Sequence, residues 1–153
     1  MIAVIQRVLD AKVQINNSEE RSITNGLVIL LGVHKDDVEK DVTYLADKII
    51  GLRIFNDQNN KMNHSLLDIN GSVLIISQFT LCGDIRKGRR PNFLSAANPS
   101  KGRSMYNNFI QRFKQKDLNV VNGEFGAHMD VSLVNNGPVT FVIYTNEIID
   151  NLF

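Results

Sequence analysis

The sequence contains a single cysteine, Cys82, and only three histidines, His34, His64 and His128, which lie far apart. One cysteine excludes an internal disulfide framework, and histidines so dispersed allow no zinc-ligand spacing, so no metal is expected. No apolar run approaches the roughly 20 residues that a membrane span requires. The opening stretch MIAVIQRVLD carries its charges after the apolar residues and is too short for a secretory h-region with its cleavage site. A cytoplasmic protein with no membrane association is the expectation. There is no P-loop, no G-x-G-x-x-G and no G-x-S-x-G elbow. Charge bias is missing too: 17 Lys and Arg against 16 Asp and Glu leave a net charge of +1, which does not suggest a protein that coats nucleic acid indiscriminately.

What is present is an ordinary globular composition, 43% hydrophobic over 153 residues, enough for one domain with its own core. A single domain over residues 1–153 is expected. AVIQRVLDAKVQI reads as strand, Asp-containing turn, strand, and Asn25-Gly26 as a turn before LVILLGV, a buried strand. Asp36 with Glu39 resembles a capping box, and Val38, Val42, Leu45, Ile49 and Leu52 at helical spacing predict a helix over 37–51. A short strand LRIF, an Asn/Lys loop over 56–63 and a turn at Asn70-Gly71 precede the strand SVLIISQFTL. Asn98 as cap and Pro99 at the first helical position open a second helix, with Met105, Phe109 and Phe113 as its stripe, ending near Lys116. The last third returns to strands, Met129, Val131 and Leu133 alternating with His128, Asp130 and Ser132. The pattern is α+β: a mostly antiparallel, strongly curved, barrel-like sheet covered by two helices.

Two places break their local pattern. Ser77, Gln78 and Thr80 interrupt the end of an apolar strand, where side chains can face a cleft and backbone amides can leave the ladder as donors; simple alternation explains them equally well. Gly137-Pro138 lies between two strand-like runs, although Pro lacks the ladder donor and Gly weakens a strand. An X-Pro bond reaches the cis form at about 0.5–1 kcal/mol over trans, so this pair can build a corner that presents carbonyls, or an ordinary hairpin turn. A third feature is electrostatic. From Asp84 to Arg103 there are six cations and one anion, a local net of +5, either a phosphate-binding patch or a solvated loop. All three histidines fall outside the first two places, so any catalysis there relies on backbone donors, hydroxyls or a group on the substrate.

Taken with AVIQRV, LVILLGV, SQFTL, GRRPNF, AANP, FGAHMDVSLVN and NGPVT, these places make the chain resemble the D-aminoacyl-tRNA deacylase family nearly end to end. The resemblance implies a carboxylic ester hydrolase that frees D-amino acids, and glycine, from tRNA without a cofactor. It implies a homodimer in which Gly137 and Pro138, in cis, reach into the partner's site. Their carbonyls would meet the substrate amino group and exclude L-amino acids. Ser77, Gln78, Phe79 and Thr80 would line the ester pocket, with amides near Gln78 and Thr80 receiving the oxyanion. Either Thr80 or the 2'-hydroxyl of the terminal adenosine would assist. Arg7 and Met129 would support the corner and the pocket, while Arg86, Lys87, Arg89 and Arg90 would contact the acceptor stem. Many members carry Asp where this chain has Asn136, which removes a charge beside the corner. Two rivals remain at this level: an unreactive tRNA-binding protein of the same fold, and a small-molecule esterase using Ser77 or Thr80 with a histidine.

Overall fold

The computed structural model describes residues 1–146; residues 147–153 of the expected domain lie outside the described residues. Residues Ile2–Ile15 form one strand, β1, and not a strand-turn-strand. The expected turn is a bulge at Leu9 and Asp10, opposite Val134 of the last strand, which bends β1 without ending it. The early hairpin partner is β2 (Glu19–Ile23), followed by β3 (Gly26–Gly32). LRIF contributes only part of β4 (Phe55–Asn56), which pairs with β5 (Met62–His64), so both ends of the segment expected to be a loop are strand. The rest of the sheet comes from β6 (Ser72–Ser77), β7 (Asn119–Asn122) and β8 (Met129–Tyr144).

Antiparallel pairing joins β1 to β2, β3 and β8, whereas β3 with β6 and β6 with β7 are parallel. The parallel pairs explain the continuous apolar runs of β3 and β6, which bury both faces. Along β6, Val73 and Ile75 join a core shared with the helices, and Leu74 and Ile76 join a second core with Val8, Val13 and Val28. The sheet curls until Arg21 of β2 reaches the end of β7, donating from Nη1 to the Asn122 carbonyl at 2.7 Å. The expected class, a curved and mostly antiparallel sheet with two helices, is what the structure has.

Helix α1 (Glu39–Gly51) begins later than its sequence suggests. Val38 is the cap, its amide donating to Asp41 Oδ2 at 2.8 Å, so Asp41 is buried at the helix start and Val38 is exposed. The Asp36–Glu39 pairing is therefore corrected. Asp37 has another duty, accepting from the Met1 amino group at 2.6 Å and from the His34 amide at 2.6 Å. Helix α2 (Pro99–Lys114) starts as expected, with Asn98 Oδ1 accepting from the Lys101 amide at 2.9 Å and Met105, Phe109 and Phe113 buried. Among the described residues no helix is long and apolar enough to cross a membrane.

Candidate active site

Ser77 ends β6, and the chain turns there into a short 3-10 helix, Phe79–Cys82. The Gln78 amide continues the ladder, donating to Leu31 O at 2.8 Å, so it is not free to receive an oxyanion. This corrects the expectation drawn from the sequence. The amides that the turn releases are those of Phe79 and Thr80, because the first residues of a helical turn have no acceptor within it, the next bond running from the Leu81 amide to Gln78 O. Ser77, Gln78 and Phe79 line a cavity of about 520 Å³. Thr80 is exposed and does not line it; its hydroxyl accepts a hydrogen bond from Gln78 Nε2. Burial pushes the nearby Cys82 thiol up, the direction opposite to that of an activated thiolate.

The opposite wall is the segment Phe125–Met129 at the start of β8. Its position follows from three anchors. The Gly123 amide donates to Ile75 O at 3.0 Å, the buried Tyr106 hydroxyl donates to the same carbonyl at 2.8 Å, and Arg21 holds Asn122. Phe125 stands between Tyr106, 6.0 Å between ring centroids, and the Arg103 guanidinium, 4.9 Å from its ring. Met129 lines the cavity, and its sulfur occupies the space a side chain at Gly123 would need, 2.5 Å from the position of a Cβ. Arg103 and Phe125 were not singled out from the sequence, and the expectation that all three histidines lie away from Ser77–Thr80 is corrected for His128, which shares the cavity of Ser77, Gln78 and Phe79. His128 lines the cavity although its side chain is mostly exposed, its Nε2 3.5 Å from Asp130 Oδ1. Among the described residues no hydrogen bond joins a histidine to Ser77 or Thr80, so no Ser-His pair forms.

Gly137-Pro138 is neither a hairpin nor part of the regular ladder. Gln6 pairs with Thr140 and Val8 with Asn135, so Asn136 to Val139 bulge opposite the single residue Arg7. The Gly137–Pro138 peptide is cis, and both residues are exposed. Side chains brace the bulge from beneath: Asn135 Oδ1 accepts from the Val139 amide at 3.0 Å, Asn135 Nδ2 donates to Thr140 Oγ1 at 2.8 Å, and Arg7 Nε donates to Asn136 O at 3.2 Å. Gly137 has φ +129°, and an added Cβ would stand 2.7 Å from Val139 Cγ2 and 3.0 Å from Arg7 Nη2. Within one chain the structure does not bring corner and cavity together. Gly137, Pro138 and Arg7 contribute nothing to the 520 Å³ cavity, and Arg7 with Asn136 lines a separate one.

The basic window is an exposed loop closed by paired amides and carbonyls of Asp84 and Asn92, at 2.8 and 3.1 Å. Four of the window's six cations lie in this loop and are not equivalent, whereas Lys101 and Arg103 lie in α2. Arg86 forks onto Asp84 through Nε at 2.9 Å and Nη2 at 2.8 Å, which holds the Asp84 carboxyl well below the usual carboxylate range. Lys87, Arg89 and Arg90 have no ion-pair partner among the described residues.

Comparison with known proteins places these features in a family. The family model described as D-Tyr-tRNA(Tyr) deacylase matches residues 4–144. The D-aminoacyl-tRNA deacylase of Thermosipho africanus is 55% identical over 148 residues, covering 97% of this chain and 99% of its own. That of Bacillus pumilus is 52% identical over 147 residues, covering 96% and 100%. A solved structure of a c-Myc DNA unwinding element binding protein superposes with a TM-score of 0.87 at 35% identity over 95% of this chain and 99% of its own. One of a probable eukaryotic D-amino acid tRNA deacylase gives 0.81 at 16% identity over 93% and 98%, a likeness of fold alone.

Proposed function

The chain belongs to the D-Tyr-tRNA(Tyr) deacylase family, and from that premise we propose that it hydrolyses the ester joining a D-amino acid to tRNA while sparing L-aminoacyl-tRNA. The observation that carries this reading is a cavity of about 520 Å³ beside two released amides, with no histidine base bonded to either nearby hydroxyl among the described residues. Such a site suits a substrate that helps to activate the attacking water, and the 2'-hydroxyl next to the ester can accept that water's proton while the 3'-oxygen leaves with a proton as the tRNA hydroxyl. The amides of Phe79 and Thr80 take the developing oxyanion, an interaction worth about 3–4 kcal/mol per donor in other hydrolases. Arg103 supplies a cation at the cavity wall for the phosphodiester preceding the terminal adenosine. Lys87, Arg89 and Arg90 meet phosphates of the acceptor stem.

Chirality is read by the corner of a second copy. The separation of corner and cavity within one chain supports this, because the exposed, braced bulge shares no lining residue with the 520 Å³ cavity of its own chain. Support also comes from β8, whose outer edge pairs with no strand among the described residues and which carries exposed Val134, Phe141, Val142 and Tyr144. A long free edge with apolar side chains favours burial against an identical strand in a two-fold dimer. The corner's carbonyls then accept from the substrate amino group, a D side chain points outward, and an L side chain meets the corner. Glycine has no side chain to collide and is cleaved as well. Deacylation rates for D-Tyr, L-Tyr and Gly on tRNA test the reading: D-Tyr and Gly are released and L-Tyr is not. Equal rates for D-Tyr and L-Tyr, or none for all three, would overturn it.

A further inference from the structure

Among the described residues, Arg7 is a buried cation with no anion beside it. It is 6% exposed, and its recorded acceptors are all neutral: Ile54 O at 2.8 Å and Asn56 Oδ1 at 3.0 Å from Nη1, and Asn136 O at 3.2 Å from Nε. Among the described residues no carboxylate pairs with it, and Nη2 has no hydrogen-bond acceptor. No fully enclosed side-chain nitrogen is left without a partner among the described residues, so Nη2 keeps contact with accessible space. Arg7 lines a cavity of about 220 Å³ together with Asn25, Phe55, Asn56, Ile69 and Asn136. A charge withdrawn from water is costly unless paired, and carbonyl dipoles compensate it only in part. In a half-enclosed space of reduced dielectric the attraction between Nη2 and an entering anion is correspondingly large. The side-chain amides of Asn25 and Asn136 add potential donors to the wall, and the volume exceeds the roughly 30 Å³ share of a water several-fold.

We propose that this cavity is a binding site for a small inorganic anion, a halide or phosphate, held against Arg7 Nη2. It shares no lining residue with the 520 Å³ cavity, so it is a second site and not an extension of the first. The bound anion neutralises the guanidinium whose Nε grips Asn136 O, and so ties the firmness of the Gly137-Pro138 bulge to the anions in the medium. The test is the melting temperature of the full chain as chloride, and separately phosphate, replaces a bulky sulfonate at constant ionic strength. Asn136→Asp, which puts a carboxylate at the cavity wall, is measured in parallel, and crystals soaked in bromide are examined by anomalous scattering. The unaltered chain gains about 5 °C at anion concentrations well above Kd, Asn136→Asp gains nothing, and a bromide peak lies beside Nη2. An equal gain in both proteins assigns the effect to the general surface and overturns the proposal. So does a cavity without bromide in a chain whose melting point ignores the anion.

Discussion

Gly137→Ala is the perturbation whose consequences follow most directly from the geometry. At φ +129° an L-residue is strained, a cost of about 1–3 kcal/mol. The new Cβ also stands 2.7 Å from Val139 Cγ2 and 3.0 Å from Arg7 Nη2, so the bulge must shift as well as strain. For a chain of this length each kcal/mol lowers Tm by about 2–4 °C, giving a fall of about 2–12 °C. Gly88→Ala is the matched control: its φ is +72° and nothing among the described residues lies within 4 Å of an added Cβ, so it bears backbone strain in the basic loop, away from the bulge. If the bulge reads chirality, Gly137→Ala slows D-Tyr-tRNA cleavage and shrinks the ratio of D to L rates, whereas Gly88→Ala lowers Tm with the ratio intact. Both rates, in single turnover, and both melting curves decide it. A Gly137→Ala protein with a lowered Tm and an unchanged ratio would refute the chirality role and leave the bulge as a structural element.

Thr80→Val keeps the single-turnover rate within about tenfold, or ~1.4 kcal/mol, because the Thr80 hydroxyl is bonded to Gln78 and lies outside the cavity; complete loss would make Thr80 the nucleophile. Replacing Arg89 and Arg90 together with Ala reduces the salt slope of tRNA binding by about 2, while Arg86→Ala changes it little because Asp84 already neutralises Arg86; equal slopes for both variants would contradict that division. The Tyr106 phenol is raised well above its ordinary value by burial. The unfolded chain releases this proton near pH 10 and the folded chain keeps it, so its contribution is whole below pH 10 and falls above it, by at most about 1.4 kcal/mol per pH unit. Urea unfolding of Tyr106→Phe from pH 8 to 11 should lack that part of the decline; identical pH profiles would show that Tyr106 does not cause it.

The two helices and the apolar strands were legible in the sequence because each is specified locally, by Asn98-Pro99 at the start of α2 and by continuous apolar runs in β3 and β6. The unbroken course of β1 was not, since Asp10 looks like a turn until a partner strand shows that Leu9 and Asp10 form a bulge. The helix cap misled for a related reason: Asp36, Asp37 and Asp41 are alike on paper, and only the neighbouring His34 amide and Met1 amino group draw Asp37 away. At the candidate site, the break in pattern at Ser77–Thr80 pointed to the strand end that borders the 520 Å³ cavity. Which amides are free depends on the register of β6 against β3, which residue types do not encode. Arg103 and Phe125 come together only through tertiary packing of α2 on the segment after β7, and one signal for them was Gly102, whose missing side chain admits Phe125 to within 3.1 Å of where a Cβ would be.

The claim that one chain's bulge completes another chain's cavity is tested most directly by subunit complementation. Gly137→Ala has a damaged bulge and an intact cavity; Ser77→Leu, which fills the cavity, has an intact bulge. Each alone is deficient in D-Tyr-tRNA cleavage. Mixed in equal amounts and allowed to exchange subunits, they form heterodimers as about half of the population, each holding one undamaged site. D-selective activity should then return to about a quarter of that of the unaltered protein. Activity that stays at the mean of the two parents, with heterodimers demonstrably present, would place bulge and cavity function within a single chain and contradict the shared site.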